Sequence, residues 1–173
     1  MPRILAVILC LSLMGASQGN SFDRVRYNGG TISNPVDPKD WNNHLTVTSD
    51  VILFKFKNGQ EVMIDPKSVR TLSYGQEAHR RVGTMIALAI LVAPVALFGL
   101  LHKTRLHFIG MEWTSNGKKE GMLLQGDKDN YRAILVALQS VSGVAVSVAE
   151  KERDFVPVGV TTSVTKGTTE ETG

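Results

Sequence analysis

The sequence predicts a mainly β, α+β domain, closed by an amphipathic helix and interrupted by an apolar segment long enough to enter a membrane. Three observations carry this reading. Asn-Gly pairs at 58–59 and 116–117 each separate two runs of strand-forming residues. Between 131 and 141, apolar side chains recur at helical spacing. Residues 82–101, VGTMIALAILVAPVALFGLL, carry no charge, and Thr84 is their only side-chain hydrogen-bonding group. At about 1.5 Å of rise per residue this stretch reaches about 30 Å, the thickness of a bilayer's hydrocarbon core.

The chain has 173 residues, 43% hydrophobic and 20% charged, with a net charge of +3. The basic excess is small and dispersed. Residues 21–81 hold nine Lys/Arg against seven Asp/Glu, and residues 102–173 hold nine of each. This balance argues against a nucleic-acid partner. Residues 1–19 read as a secretory signal, with Arg3 as the positive n-region, Ile4 to Met14 as a short apolar core and Gly15 to Gly19 as the cleavage region. An uncleaved N-terminal anchor is the alternative. The sole cysteine, Cys10, follows Leu9 rather than the small residue of a lipoprotein signal. Cleavage would leave a mature chain without disulfides, thiolate catalysis or cysteine metal sites.

The elements after the signal are short. Arg24 to Tyr27 reads as a first strand stopped by Gly29-Gly30, which suit a turn or a close backbone approach. Residues 33–43, SNPVDPKDWNN, form a polar loop, with Trp41 as a lid on the core. Val51 to Lys57 and Glu61 to Ile64 then flank Asn58-Gly59 as a hairpin with a type I′ turn. Ile52, Phe54 and Phe56 alternate with Leu53, Lys55 and Lys57, so an aromatic face points inward and a basic one outward. Asp65-Pro66 turns the chain into a strand from Val69 to Tyr74, ending at Gly75.

The apolar segment 82–101 follows. Pro94 near its middle leaves two forms, a kinked transmembrane helix or a re-entrant turn. Arg80 and Arg81 stand before it, and His102, Lys103 and Arg105 after it. Arg80, Arg81, Lys103 and Arg105 are the candidate lipid-headgroup contacts, because basic side chains at the ends of an apolar span reach the headgroups. Strand character resumes from Arg105 to Trp113 and from Glu120 to Gln125, around Asn116-Gly117. Asp127 is placed to cap a helix whose apolar stripe is Tyr131, Ile134, Leu135, Leu138 and Val141, and Gly143 to end it. Val144 to Val148 forms a last extended piece. Residues 150–173, rich in threonine, glycine and charge, read as a disordered tail.

This order of elements resembles the pleckstrin-homology-like (PH-like) fold, a partly open antiparallel barrel with a C-terminal helix. It is similar to small, uncharacterised bacterial membrane proteins in which a PH-like domain is interrupted by an apolar segment. The residues that carry the resemblance are VRYNGGT at 25–31, IDPKSVRTLSYG at 64–75, His79 to Gly83, LHKTRLHFIG at 101–110 and the helix from Asp127. The resemblance covers about residues 24–148, and the β-rich domain it implies lies in two parts, 22–81 and 102–149. It implies a module that binds lipid or protein in a bacterial membrane protein, and the signal sequence places that module in the cell envelope, at the inner membrane facing the periplasm or exterior. It assigns no ligand.

Strands on both sides of residues 82–101 can share one domain only if both ends of that stretch lie on one side of the membrane. Either the segment dips and returns, or it lies along the interface, or the two halves are separate. The search for chemistry returns no catalytic, cofactor or metal residues. Histidines 44, 79, 102 and 107 are scattered without zinc-ligand spacing, and Asp127 and Asp129 read as helix-start residues rather than an acid and base pair. Three functions follow. The first is a membrane-anchored, non-catalytic interaction module for an unknown protein partner, using sheet edges or the Gly29-Gly30 loop. The second is an anionic-lipid-binding or lipid-responsive envelope protein, and the third an enzyme of unrecognised type.

Overall fold

The computed structural model describes residues 19–85 and 106–165. Residues 1–18, residues 86–105 with Lys103 and Arg105, and residues 166–173 lie outside the described residues, so the signal peptide, most of the apolar segment and the end of the tail do too. In chain order the elements are β1 (Asn20–Gly30), β2 (Asn43–Val47), β3 (Ile52–Lys55), β4 (Glu61–Ile64), β5 (Val69–Tyr74), α1 (Gln76–Met85), β6 (His107–Ser115), β7 (Lys118–Gly126), α2 (Tyr131–Ser142), β8 (Val146–Ala149) and β9 (Thr162–Thr165). Short 3-10 turns at Pro66–Ser68 and Glu150–Phe155 precede β5 and follow β8.

The protein is mainly β, and among the described residues nine strands form one mixed sheet ordered β4-β3-β2-β1-β7-β6-β5-β8-β9. The first seven pair antiparallel, as the hairpin signals require. β8 runs parallel to β5, and β9 parallel to β8. The expected all-antiparallel sheet is therefore corrected by two strands. α2 carries the chain from β7 back to the far side of β5, and a long connection of that kind permits a parallel neighbour.

β1 is longer than Arg24 to Tyr27 and continues through Gly29-Gly30, which pair with Leu123 and Met122. The glycines are part of the sheet and form no contact loop. A Cβ at Gly30 would collide with the Gly121 carbonyl and the Tyr27 hydroxyl, so close backbone approach is the reason for glycine there. β1 pairs with β2 on one side and β7 on the other, meeting both at Val25, and its register against β2 shifts between Phe22 and Val25, at Asp23-Arg24. Arg24 adopts φ 58 at this bulge. Asn130, just before α2, secures it by donating to the carbonyls of Asp23 and Arg24 at 2.8 and 3.3 Å.

β2 lies beyond the elements expected from sequence, although Asn43, Leu45 and Val47 alternate inward along it. The Asn58-Gly59 hairpin forms as expected, but its turn differs in type. Only Gly59 has positive φ, at 89, and its N–H bonds the Phe56 carbonyl at 2.9 Å. That is a type I turn closed by a left-handed glycine. At 116–117 both residues have positive φ, 50 and 74, and join Ser115 to Lys118 in a two-residue type I′ turn.

The sheet is covered on both faces. Along β6 and β7, Ile109, Met111, Met122 and Leu124 join the main core with Leu45, Phe54, Phe56 and Leu72, and α2 seats Tyr131, Ile134, Leu135 and Leu138 on it. Their neighbours Phe108 and Leu123 belong to a second cluster with Ala78 and Val82 of α1. Adjacent residues of a strand point to opposite faces, so α1 packs on the side away from α2.

Three further expectations are corrected. The apolar segment was read as beginning at Val82, but Val82 lies inside α1, fully buried against the sheet. No helix among the described residues is long and apolar enough to cross a membrane. Asp127 does not cap α2 directly, because the cap position is Asn130. Asp127 instead accepts the N–H groups of Asp129 and Asn130 at 2.8 and 2.9 Å in the preceding turn. Residues 150–165 are not disordered, since they form a 3-10 turn and β9. Gly143 ends α2 as expected, with φ 69 and its N–H on the Gln139 carbonyl at 2.8 Å.

Candidate functional site

The decisive geometry lies at the two ends of the apolar run. β5, before the run, pairs with β6, after it, from Val69 opposite Trp113 to Tyr74 opposite Ile109. α1 leaves β5 at Gly75, whose φ of 64 turns the chain and whose N–H bonds the Phe108 carbonyl at 2.9 Å. Gly110 of β6 provides the floor. A Cβ there would press on Val82 and on the Ala78 backbone. Both departure and return therefore belong to one folded body, so one passage across a bilayer is incompatible with the β5–β6 pairing.

Arg80 and Arg81 sit on α1, one turn beyond Glu77. The Glu77 carboxylate accepts Arg80 through Nη2 at 2.7 Å and Nε at 3.2 Å, and Arg81 through Nε at 2.6 Å. These are i,i+3 and i,i+4 pairs on one helical face. The glutamate side chain is 6% exposed, whereas Arg80 is 60% exposed. Burial alone would raise the Glu77 pKa, but the hydrogen bonds and charges of both arginines outweigh it and hold it below the usual carboxylate value. Of the four candidate headgroup contacts, the fold thus brings Arg80 and Arg81 together around a carboxylate, leaving a compact cluster of net +1.

Glu152, in the 3-10 turn after β8, accepts the Gln76 N–H at 2.9 Å and caps the start of α1. The sequence carries no local signal for this link, because the composition around residue 152 suits a disordered tail. Gln139 of α2 supports the same region. Its side-chain amide donates to the Thr161 carbonyl at 2.9 Å and accepts the Thr161 N–H at 3.0 Å, which aligns the strand that follows.

The other singled-out residues have structural roles. His107 stacks on Tyr131 with ring centroids 3.6 Å apart, and Tyr74 bonds its Nδ1 at 2.8 Å. His44 pairs with Asp23 on the surface. Asp127 ion-pairs with Arg24 at 3.1 Å. Trp41 lies under the Arg26 guanidinium, 4.0 Å from ring centroid to Cζ, an arrangement the loop composition did not reveal. Among the described residues no three His, Cys, Asp or Glu side chains are grouped to hold a metal ion.

No protein-family model matches the chain, and no curated protein matches it. Among solved structures, the chain is similar to one described as the Spt16D Pob3N heterodimer, at 9% identity and a TM-score of 0.44. The match covers 79% of this chain and 58% of the other, so this protein spans under two thirds of that chain's length.

Proposed function

We propose that this protein is a non-catalytic interaction module of PH-like architecture, attached to a membrane by its apolar run and facing the exterior of the cytoplasmic membrane in a bacterial envelope. The observation that carries the reading is the antiparallel pairing of β5 with β6. It returns the twenty-residue apolar stretch to the body it left, as a dipping or surface-lying anchor requires. The strand order β4-β3-β2-β1-β7-β6-β5, with α2 following β7 and closing the core, supports the PH-like assignment. The placement outside the cytoplasmic membrane rests on the signal-like first nineteen residues, and β1 begins directly after them, Asn20 pairing with Val47.

Anionic lipid is the subordinate ligand reading. Arg80 remains largely exposed beside the start of the run while its guanidinium is oriented by Glu77. A base near an anionic surface contributes about 1 kcal/mol.

Topology and fractionation test the proposal. Tags at residues 30 and 160 of the full chain are expected to label from the same side, and the protein to remain with membranes in high salt. Leu91→Asp with Leu97→Asp is expected to release it. Recovery of the intact wild-type chain in a detergent-free soluble fraction would overturn membrane attachment.

A further inference from the structure

We infer that the outer edge of β9 pairs antiparallel with the same edge of a second copy of this chain, around a two-fold axis at Ser163. This deepens the proposed function by naming a partner for the module, and it rests on that reading only for the setting in which the two copies meet.

The backbone geometry selects the pairing residues. The Val146 N–H bonds the Thr161 carbonyl at 2.9 Å, and Val146 lies opposite Thr162 in the parallel ladder. In a parallel pair successive residues of one strand alternate between facing the neighbour and facing away. Thr161, Ser163 and Thr165 therefore face β8, while the N–H and C=O groups of Thr162 and Val164 point outward. Among the described residues β9 is the last strand of the sheet, and there these four groups form an open edge.

This edge is unguarded. Edges are commonly protected by charge, proline or a bulge. Residues 158–165, VGVTTSVT, contain neither charge nor proline, and their composition favours a strand. Val158 is fully exposed, and Val164 is 41% exposed. The opposite edge, β4, differs. There Glu61 is ion-paired to Lys55 at 3.0 Å, and Asp65-Pro66 closes the strand. Two β4 edges meeting antiparallel would bring charged groups of like sign together, whereas two β9 edges bring none.

The β9 edge is also self-complementary. Antiparallel pairing around Ser163 sets Thr162 of each copy opposite Val164 of the other, both in hydrogen-bonded positions, giving four backbone hydrogen bonds. The Ser163 side chains meet across the axis at a non-hydrogen-bonded position, where Cα atoms lie about 4.5 Å apart. Threonine and valine are favourable cross-strand neighbours. The contact is isologous and closes at two copies, because it uses both β9 edges and leaves only the charged β4 edges outermost.

The test uses the full chain in mild detergent. Light scattering is expected to give a protein mass twice that of the monomer for wild type. Thr162→Pro removes an outward N–H without breaking the ladder to β8, and Val164→Lys sets a lysine opposite Thr162 of each copy. Each is expected to halve the mass while leaving the circular dichroism spectrum unchanged. With Cys10→Ser in the background, Ser163→Cys is expected to oxidise to a disulfide-linked dimer, because Cα atoms at that spacing are within disulfide range. A monomeric wild type, a dimer unaffected by both edge variants, or no cross-link at 163 would each overturn the inference. Membrane partition is read separately, so failure of the dimer and failure of membrane attachment are distinguishable.

Discussion

Glu152 and Gln76 are joined across 76 positions of sequence by a hydrogen bond of 2.9 Å from the Gln76 N–H to the carboxylate. The bond links the segment after β8 to the first turn of α1, the helix that runs into the apolar stretch. Gly75 makes the approach feasible. A Cβ there would collide with that carboxylate, and its φ of 64 disfavours any larger residue.

Loss of the cap is expected to be measurable. Glu152→Ala should lower unfolding free energy by about 1 kcal/mol in urea titrations. Gly75→Ala should lower it further, because the left-handed backbone adds about 1–2 kcal/mol. The double variant should fall short of the sum, since the new Cβ already displaces the carboxylate.

Glu77 should make stability depend on pH. Its folded pKa lies below the ordinary value of 4.5, so its contribution is present at neutral pH and lost as pH falls through the depressed folded value. Glu77→Gln should cost on the order of 1 kcal/mol at pH 7, given that Arg80 is well solvated. The difference from wild type should vanish as pH falls well below 4.5. An equal deficit at both ends of this range would show that the glutamate acts through shape alone.

Val82 and Leu91 should separate under the same substitution. Val82→Asp places an unpaired carboxylate between Ala78, Phe108 and Leu123, and should cost at least about 3 kcal/mol, abolishing the folded β signal. Leu91→Asp should leave the melting temperature of the body unchanged and alter only membrane partition. Equal behaviour of the two would show that position 91 is needed for the folded body as position 82 is.

A stop after Ala149 removes β9, the Glu152 cap and the strand shielding Val146 and Val148, both fully buried. The melting temperature should drop by several degrees, as expected for a loss of more than about 1 kcal/mol. A disordered tail would leave it unchanged.

Much of the body was legible because its signals are local. The alternation of Ile52, Phe54 and Phe56, the glycine at 59 and the stripe from Tyr131 to Leu138 each specify a conformation within a few residues. β2 was legible in principle, since Asn43, Leu45 and Val47 alternate, but the polar loop before it obscured the start. The tail misled because threonine and glycine suit a loop and an edge strand equally. Only the pairing of β8 with β5, its ladder to β9 and the Gln139 amide decide between them.

The same division holds at the candidate site. That a long uncharged stretch flanked by bases interrupts strand-forming residues is legible from the residues in order, because apolarity and charge belong to each residue. Where the hairpins turn is legible as well, since positive φ selects Gly59 in one and Asn116-Gly117 in the other. The meeting of β5 with β6 across the interruption, the place of Val82 in the core and the pairing of Glu77 with Arg80 and Arg81 emerge with the assembled sheet. Each depends on which distant surface a side chain finds once the sheet has formed, and free energy of burial and pairing is set by that neighbour rather than by the residue alone.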